Sequence, residues 1–349
     1  MTEVFEEKKK QLLDWLQIAL ELELATIPPY LVALLSIKLP SNREAAEIIR
    51  GVMIEEMLHF GLVANVINAV DGRPRLDATA LPSYPLQMTF EGKPFRDRKF
   101  PIDLAPFSAE TIATFLKIEQ PETVPPDLHL LKFELSVPAL TIGQFYRKIE
   151  ELLIELDQML PNRLFSGSPT RQLQPDYYWS SGGSMMVIDD LASARKALDL
   201  VVSQGEGAPT QTATVTTKPD SKTTPLGHYF RFNEIANGRR YKNGDDPTRP
   251  TGEKIAVDFG AVYPVKPNPR ATDYPLGSEL AALNDAFNLR YTAMLLQLNE
   301  AINGTPKSLY TAIMNGMHGI TPLAHLMMTH AIPDDGQNRV GCPTFEWKT

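Results

Sequence analysis

The chain has 349 residues, 43% of them hydrophobic and 22% charged, with a formal net charge of −8. That length holds one large domain or two of ordinary size, and the composition is that of a globular chain with a substantial core. The acidic balance argues against nucleic acid or an anionic membrane surface as a partner, and a lone cysteine, Cys342, leaves neither an intrachain disulfide nor a thiolate cluster.

Any metal must then sit on nitrogen and oxygen donors, a set that suits iron, manganese or zinc. Residues 1–10 lack the apolar stretch of a signal peptide. With no evident run of about 18 apolar residues, the expectation is a reduced cytoplasmic protein that spans no membrane.

Leu12, Leu16, Ala19, Leu20 and Leu24 recur at helical spacing and predict a first helix over about residues 4–38. Pro28 and Pro29 remove two backbone donors, so a kink or break is expected there. Glu21 and Glu23 lie just before it, and each reads as a ligand or as a solvated edge. Pro40-Ser41-Asn42 is a turn that starts a second helix over about residues 43–70, ended by Asp71-Gly72. Two long helices on so short a connection form an antiparallel hairpin. Within the second, Glu56 and His59 stand three residues apart and so share a face. Dinuclear carboxylate bundles use that Glu-x-x-His spacing, but both residues are common and the pair needs partners to mean anything.

Pro74, Pro82, Pro85, Pro94, Pro101 and Pro106 exclude long helices from residues 73–106, where a short hairpin is expected at Glu91-Gly92. Ser108 opens a helix to about Glu119, and the whole stretch reads as a crossover laid outside a bundle. A third core helix is expected over about residues 141–160, its apolar stripe being Ile142, Phe145, Ile149, Leu152, Leu153 and Leu156. Glu150 adjoins that stripe, and Tyr146 lies one turn before it. The fourth helix is expected from near Met186 to Val202, ending in Gln204-Gly-Glu-Gly207. Residues 208–227 are rich in Thr, Lys and Pro without periodicity, an exposed loop, and the helical pattern resumes at His228. Two further helices are expected at about residues 277–302 and 306–329.

The candidate ligands are therefore Glu23, Glu56, His59, Glu150, Glu206 and His228. Four carboxylates and two imidazoles are the ligand count of a bridged dinuclear site in a four-helix bundle. Taken singly, each glutamate also reads as a solvated face and each histidine as a hydrogen-bonded core residue, and Glu206 as part of a helix-ending Gly-Glu-Gly turn. Tyr146 shares a face with Glu150, and Tyr30 follows Glu23 by seven residues. Either tyrosine reads as a partner to a ligand or as a core residue with a satisfied hydroxyl. His318, His325 and His330 lack acidic partners at matching positions and read as packing or surface residues. Nothing in the chain resembles a nucleotide-binding glycine motif.

Glu23-Leu-Ala-Thr-Ile-Pro-Pro-Tyr-Leu31, Glu55-Glu-Met-Leu-His-Phe60 and Gly143-Gln-Phe-Tyr-Arg-Lys-Ile-Glu150 resemble the ferritin-like domain of the iminophenyl-pyruvate dimer synthase family. So do Gln204-Gly-Glu-Gly207 and His228-Tyr-Phe-Arg-Phe232, and the likeness runs over about residues 12–234. The resemblance implies an all-α fold, a ferritin-like four-helix bundle over about residues 4–240 of a single domain, with extra helices at about 276–331 and long Pro-rich loops. It also implies Glu23 rather than Glu21 as ligand, and a fourth helix interrupted by a bulging loop and resumed in register. Two metal ions are implied, iron first and manganese or zinc as alternatives. The implied chemistry is oxidative coupling of an amino- or imino-acid derivative with dioxygen or peroxide, with Tyr146 and Tyr30 read as close to the reaction. The loop aromatics Tyr84, Phe95, Tyr177, Tyr178 and Trp179 then read as the roof of a pocket or simply as cover for the bundle. The other readings are a metal-binding protein without turnover and a structural or interaction bundle, and any of the three can form oligomers. Four buried carboxylates without a cation would repel, which weighs against the last.

Overall fold

The computed structural model describes residues 2–87, 100–121, 141–161, 163–178, 182–207 and 226–349. Helices α1 (Thr2–Ser36) and α2 (Arg43–Ala69) form the expected antiparallel hairpin and the most extensive helix–helix interface among the described residues. By length and hydropathy both helices could cross a membrane, contrary to the sequence expectation. Yet 83% of the apolar window in α1 and 89% of that in α2 is buried inside the protein, so their apolar surface is used in the core.

No break occurs at Pro28 and Pro29; α1 runs through both. A proline at position 29 cannot donate to the carbonyl of Ala25, which would leave that acceptor stranded in the core. The hydroxyl of buried Tyr84 donates to this carbonyl at 2.7 Å instead. A side chain from the proline-rich crossover thus closes the gap in the helix one turn from Glu23.

That crossover carries β1 (Leu86–Gln87) and β2 (Pro101–Ile102), antiparallel with Leu86 opposite Ile102. The Glu91-Gly92 turn expected between them lies outside the described residues. Helix α3 (Ala109–Ile118) starts at Ser108, whose hydroxyl accepts from the Thr111 amide at 3.1 Å, and it buries Ile112, Phe115, Leu116 and Ile118. Helix α4 (Ile142–Met159) begins with a capping box between Thr141 and Gln144 and packs on α1.

The fourth position of the bundle is shared by α5 (Leu191–Gly205) and α6 (His228–Asn237), which both pack on α2. Helix α5 starts five residues later than expected at Met186, because Asn65 and Gln172 hold the backbone before it. The Asn65 amide donates to the Met186 carbonyl, and Gln172 exchanges two bonds with Ile188. The expected loop, residues 208–225 of it, lies outside the described residues, but its ends meet. A Cβ on Gly227 would fall 2.5 Å from the Gly207 nitrogen, so only glycine allows this closure.

The C-terminal part contains α7 (Glu279–Ile302), α8 (Ser308–Thr311), a π-helical turn at Ala312–Met317 and α9 (His318–Met327). One helix was expected over the last three. Gly316 in the π turn lies against Met294, where a Cβ would come within 2.4 Å of the Met294 side chain. The chain then ends in an extended tail along α7. Asn284, Asn288 and Thr292 accept from the amides of Thr344, Glu346 and Lys348 in turn.

If Tyr84 completes α1, Tyr84→Phe leaves a buried carbonyl unpaired and lowers unfolding stability by about 1–3 kcal/mol. Urea denaturation checks this, and an unchanged midpoint would mean the Ala25 carbonyl finds another donor.

Candidate metal centre

Five side chains converge between the helices: Glu23 from α1, Glu56 and His59 from α2, Glu119 immediately after α3, and His228 as the first residue of α6. None is more than 5% exposed. The prediction from helical spacing holds for Glu56 and His59, whose side chains leave α2 on one face. Glu56 belongs to two groups of three whose ligating atoms lie within 4.8 Å of one another: Glu23, Glu56 and His59, and Glu56, Glu119 and His228.

Each of the five uses one atom to bond outward to the protein and turns the other inward. Glu23 Oε1 accepts from the Tyr146 hydroxyl, Glu56 Oε2 from Thr26 at 2.8 Å and Glu119 Oε1 from Tyr30 at 2.5 Å. His59 Nε2 pairs with Gln204 Oε1 at 2.9 Å, and the Gln204 amide nitrogen is committed to the Gly182 carbonyl at 2.7 Å. That fixes the amide orientation, so Nε2 of His59 carries the proton and Nδ1 presents its lone pair inward. His228 Nε2 lies 2.9 Å from Glu55 Oε2, which also accepts from Arg231. Its proton is therefore also on Nε2 whenever the ring is neutral.

The inward atoms are then Glu23 Oε2, Glu56 Oε1, His59 Nδ1, Glu119 Oε2 and His228 Nδ1. His59 Nδ1 is 3.3 Å from Glu23 Oε2 and 3.8 Å from Glu56 Oε1. His228 Nδ1 is 2.8 Å from Glu56 Oε1 and 3.5 Å from Glu119 Oε2, yet it makes a hydrogen bond to neither. A buried nitrogen set between two carboxylate oxygens and aimed at neither is placed as a ligand would be. Bonds of about 2.0–2.2 Å to one ion put neighbouring donors about 3 Å apart, the range seen here. The donor set of oxygen and nitrogen fits iron, manganese or zinc. The cavity lined by Glu23, Glu56, His59 and Glu119, together with Leu22, Thr26, Ile142, Val201 and Gly205, is about 20 Å³. That is room for ions or a water, not for an organic substrate of the kind that needs about 300 Å³.

Without a cation, burial pushes both Glu23 and Glu56 up to about 7, against the hydrogen bonds they accept. For Glu119 and Glu55 burial acts in the same direction, but His228 beside each carboxyl outweighs it and holds both below the ordinary range. Burial keeps His59 neutral, whereas the carboxylates around His228 overcome burial and hold that imidazole charged. Tyr30 and Tyr146 are pushed far up by burial and by the adjacent carboxylates, so both stay protonated donors.

Two of the expected ligands lie elsewhere. Glu150, half-buried, accepts from Arg195 Nε at 2.5 Å and is in neither group. A helix whose apolar stripe faces the core leaves the flanking Glu150 at the rim, where a cation on α5 meets it. Glu206 accepts from the Gly143 amide at 2.8 Å, in the first turn of α4. A Cβ on Gly143 would lie 2.4 Å from the Glu206 carboxyl, so the glycine admits the carboxylate to a helix N-terminus that favours negative charge. Glu21 is bonded to Gln17 on its own helix, as the choice of Glu23 anticipated.

Glu119 takes a place that the sequence reading gave to none of the crossover residues. A signal was present: Ile112, Phe115, Leu116 and Glu119 follow one apolar stripe, and an acid continuing such a stripe points into the core. Of the aromatic residues expected over a pocket, Tyr84 is spent on α1 and Tyr178 lies against the Ile54 carbonyl at 3.4 Å. Phe95 and Trp179 are outside the described residues. His325 packs edge-on to Tyr263, and His330 contacts the Leu326 carbonyl and Glu279.

After anaerobic loading with ferrous iron, Glu119→Ala should lower the bound metal and Glu150→Ala should leave it unchanged, as elemental analysis will read. The opposite pattern would restore the sequence assignment. A divalent cation must displace protons from Glu23 and Glu56 below about pH 7. Affinity therefore falls as pH drops through 7, and proton release per ion is larger at pH 6 than at pH 8. Calorimetry in buffers of different ionisation enthalpy measures both.

A family model described as ferritin-like matches residues 16–237, from within α1 to the last residue of α6, and so includes all five inward-facing residues. Dichlorochromopyrrolate synthase of Lentzea aerocolonigenes is 27% identical over 337 residues, covering 85% of this chain. The chain spans only 29% of that protein's length. The crystal structure of a ferritin-like protein from Caulobacter vibrioides at 1.95 Å resolution superposes with a TM-score of 0.59 at 21% identity, covering 96% of this chain and 98% of that one. With its matched segment holding the whole centre, the chain belongs to the ferritin-like family.

Proposed function

We propose that the chain is a di-iron oxidative enzyme. The observation that carries this reading is the set of five inward donor atoms, each on a side chain fixed by an outward partner, beside a cavity of about 20 Å³. Glu23, Glu56 and His59 would hold one ion and Glu56, Glu119 and His228 the other, with Glu56 common to both. Bound there, redox-active ions would supply electron exchange with dioxygen or peroxide, molecules small enough for such a space.

The chain's own contribution is orientation, exclusion of water and control of protons. Thr26 holds Glu56, and Tyr146 and Tyr30 each keep a phenolic proton on a carboxylate oxygen, of Glu23 and Glu119 respectively. The tyrosines thus act as positioning residues whose burial keeps them protonated. Likeness to a synthase, together with the resemblance of the motifs to the iminophenyl-pyruvate dimer synthase family, supports an amino- or imino-acid derivative as substrate. Such a molecule is too large for the cavity and would meet the centre only from outside it or after an opening.

The small cavity also favours a second reading, a metal-binding protein without turnover. Oxygen uptake separates the two. Ferrous protein that consumes dioxygen in proportion to its bound iron supports the enzyme, and an inert ferrous form supports the second reading. In Glu56→Ala/His59→Ala both metal and uptake should be lost; full metal content there would remove the basis of either.

A further inference from the structure

The two halves of the centre look alike in their inward atoms and differ in what stands behind the histidines. His59 donates from Nε2 to the neutral amide of Gln204, whereas His228 donates from Nε2 to the carboxylate of Glu55. Arg231, three residues after His228 on α6, donates to the same oxygen of Glu55. Glu55 itself is the neighbour of Glu56 on α2. One carboxylate oxygen thus ties the first turn of α6 to α2, and the guanidinium keeps that carboxylate in place.

We propose that the half formed by Glu56, Glu119 and His228 binds a divalent cation before, and more tightly than, the half formed by Glu23, Glu56 and His59, with Glu55 as the positioning residue that makes the difference. The proposal rests on the dinuclear reading above. A carboxylate accepting the outer N–H of an imidazole raises electron density at the other nitrogen and fixes the ring; a neutral amide fixes the ring with a weaker electronic effect. Partners of this kind change metal affinity by about 10–100-fold. Geometry adds to this, since His228 Nδ1 lies between the oxygens of Glu56 and Glu119 at 2.8 and 3.5 Å, closer than the 3.3 and 3.8 Å around His59 Nδ1. Because Glu56 serves both halves through the same oxygen, the first ion to take it leaves a weaker carboxylate for the second.

Zinc titration of the full chain labelled with ¹⁵N-histidine reads the order of filling directly. The first equivalent should move the His228 Nδ1 resonance and the second that of His59, with assignments from His59→Gln and His228→Gln. Simultaneous movement of both rings from the first addition, or movement of His59 first, would overturn the proposal. Retention of no zinc would instead overturn the dinuclear reading beneath it. Calorimetric zinc titration should show Glu55→Gln weakening the tighter step by about 10–100-fold and Gln204→Leu weakening only the other. Equal effects of the two variants on both steps would reject Glu55 as the source of the difference. Should Glu55→Gln fail to fold, the order of filling in the unaltered chain still decides.

Discussion

Repulsion among Glu23, Glu56 and Glu119, enclosed together in a cavity of about 20 Å³, is the constraint on which the rest of the structure depends. Three carboxylates removed from water must keep protons or meet cations. The chain does not relieve them by turning them away from one another. It occupies their outer oxygens with neutral hydroxyls, from Tyr146, Thr26 and Tyr30, and leaves the inner oxygens facing two imidazole nitrogens. The Arg231 guanidinium sits one layer out, on Glu55, where it anchors His228 without neutralising the inner carboxylates. Without a metal the His228 imidazolium is the protein's own positive charge among the inner carboxylates, and a cation that binds there takes the place of its proton.

Holding those five donors requires unusual helices. Prolines 28 and 29 follow Glu23 closely, and α1 stays continuous because Tyr84 bonds to the carbonyl that Pro29 cannot serve. The fourth bundle position is built from two pieces, with Gly207 and Gly227 in backbone contact at the join. Glu206 at the end of the first piece caps α4, and His228 at the start of the second piece enters the centre. The third inward carboxylate comes from Glu119, just after α3. Packing of α3 against α6 brings Glu119 and His228 together.

Side chains that share one helix come together as their spacing predicts, whereas Glu150 and Glu206, whose place depends on contact between helices, do not join them. The spacing of Glu56 and His59 defines a shared face on any α-helix, and both lie in the centre. Glu150 has the same kind of apolar neighbours as Glu23, but rotation of α4 about its axis puts it at Arg195. That rotation is set by Phe145, Ile149 and Leu153 packing into their neighbours, and a stripe defines the middle of a face more sharply than its edges. Glu206 adjoins the helix end in sequence and the first turn of α4 in space, a closeness that only the Gly143 gap makes possible.

By itself, then, the sequence determined the helical hairpin of α1 and α2, the all-α class, the Glu56/His59 pair, the preference for Glu23 over Glu21 and the absence of thiolate ligands. The hairpin, the shared face of Glu56 and His59 and the lack of thiolates follow from periodicity along one helix, turn chemistry and residue types, all of which are local. The all-α class and the choice of Glu23 follow from the resemblance of the motifs to a known family. Tertiary structure alone decided that Glu119 completes the inward set, that Glu150 and Glu206 serve other contacts, and that Gln204 and Glu55 orient the two imidazoles. Those assignments depend on helix rotation and on the approach of segments far apart in the chain, such as His59 to Gln204 across 145 residues. Side-chain spacing along a single element shows that Glu119 continues an apolar stripe, but not which segments approach it.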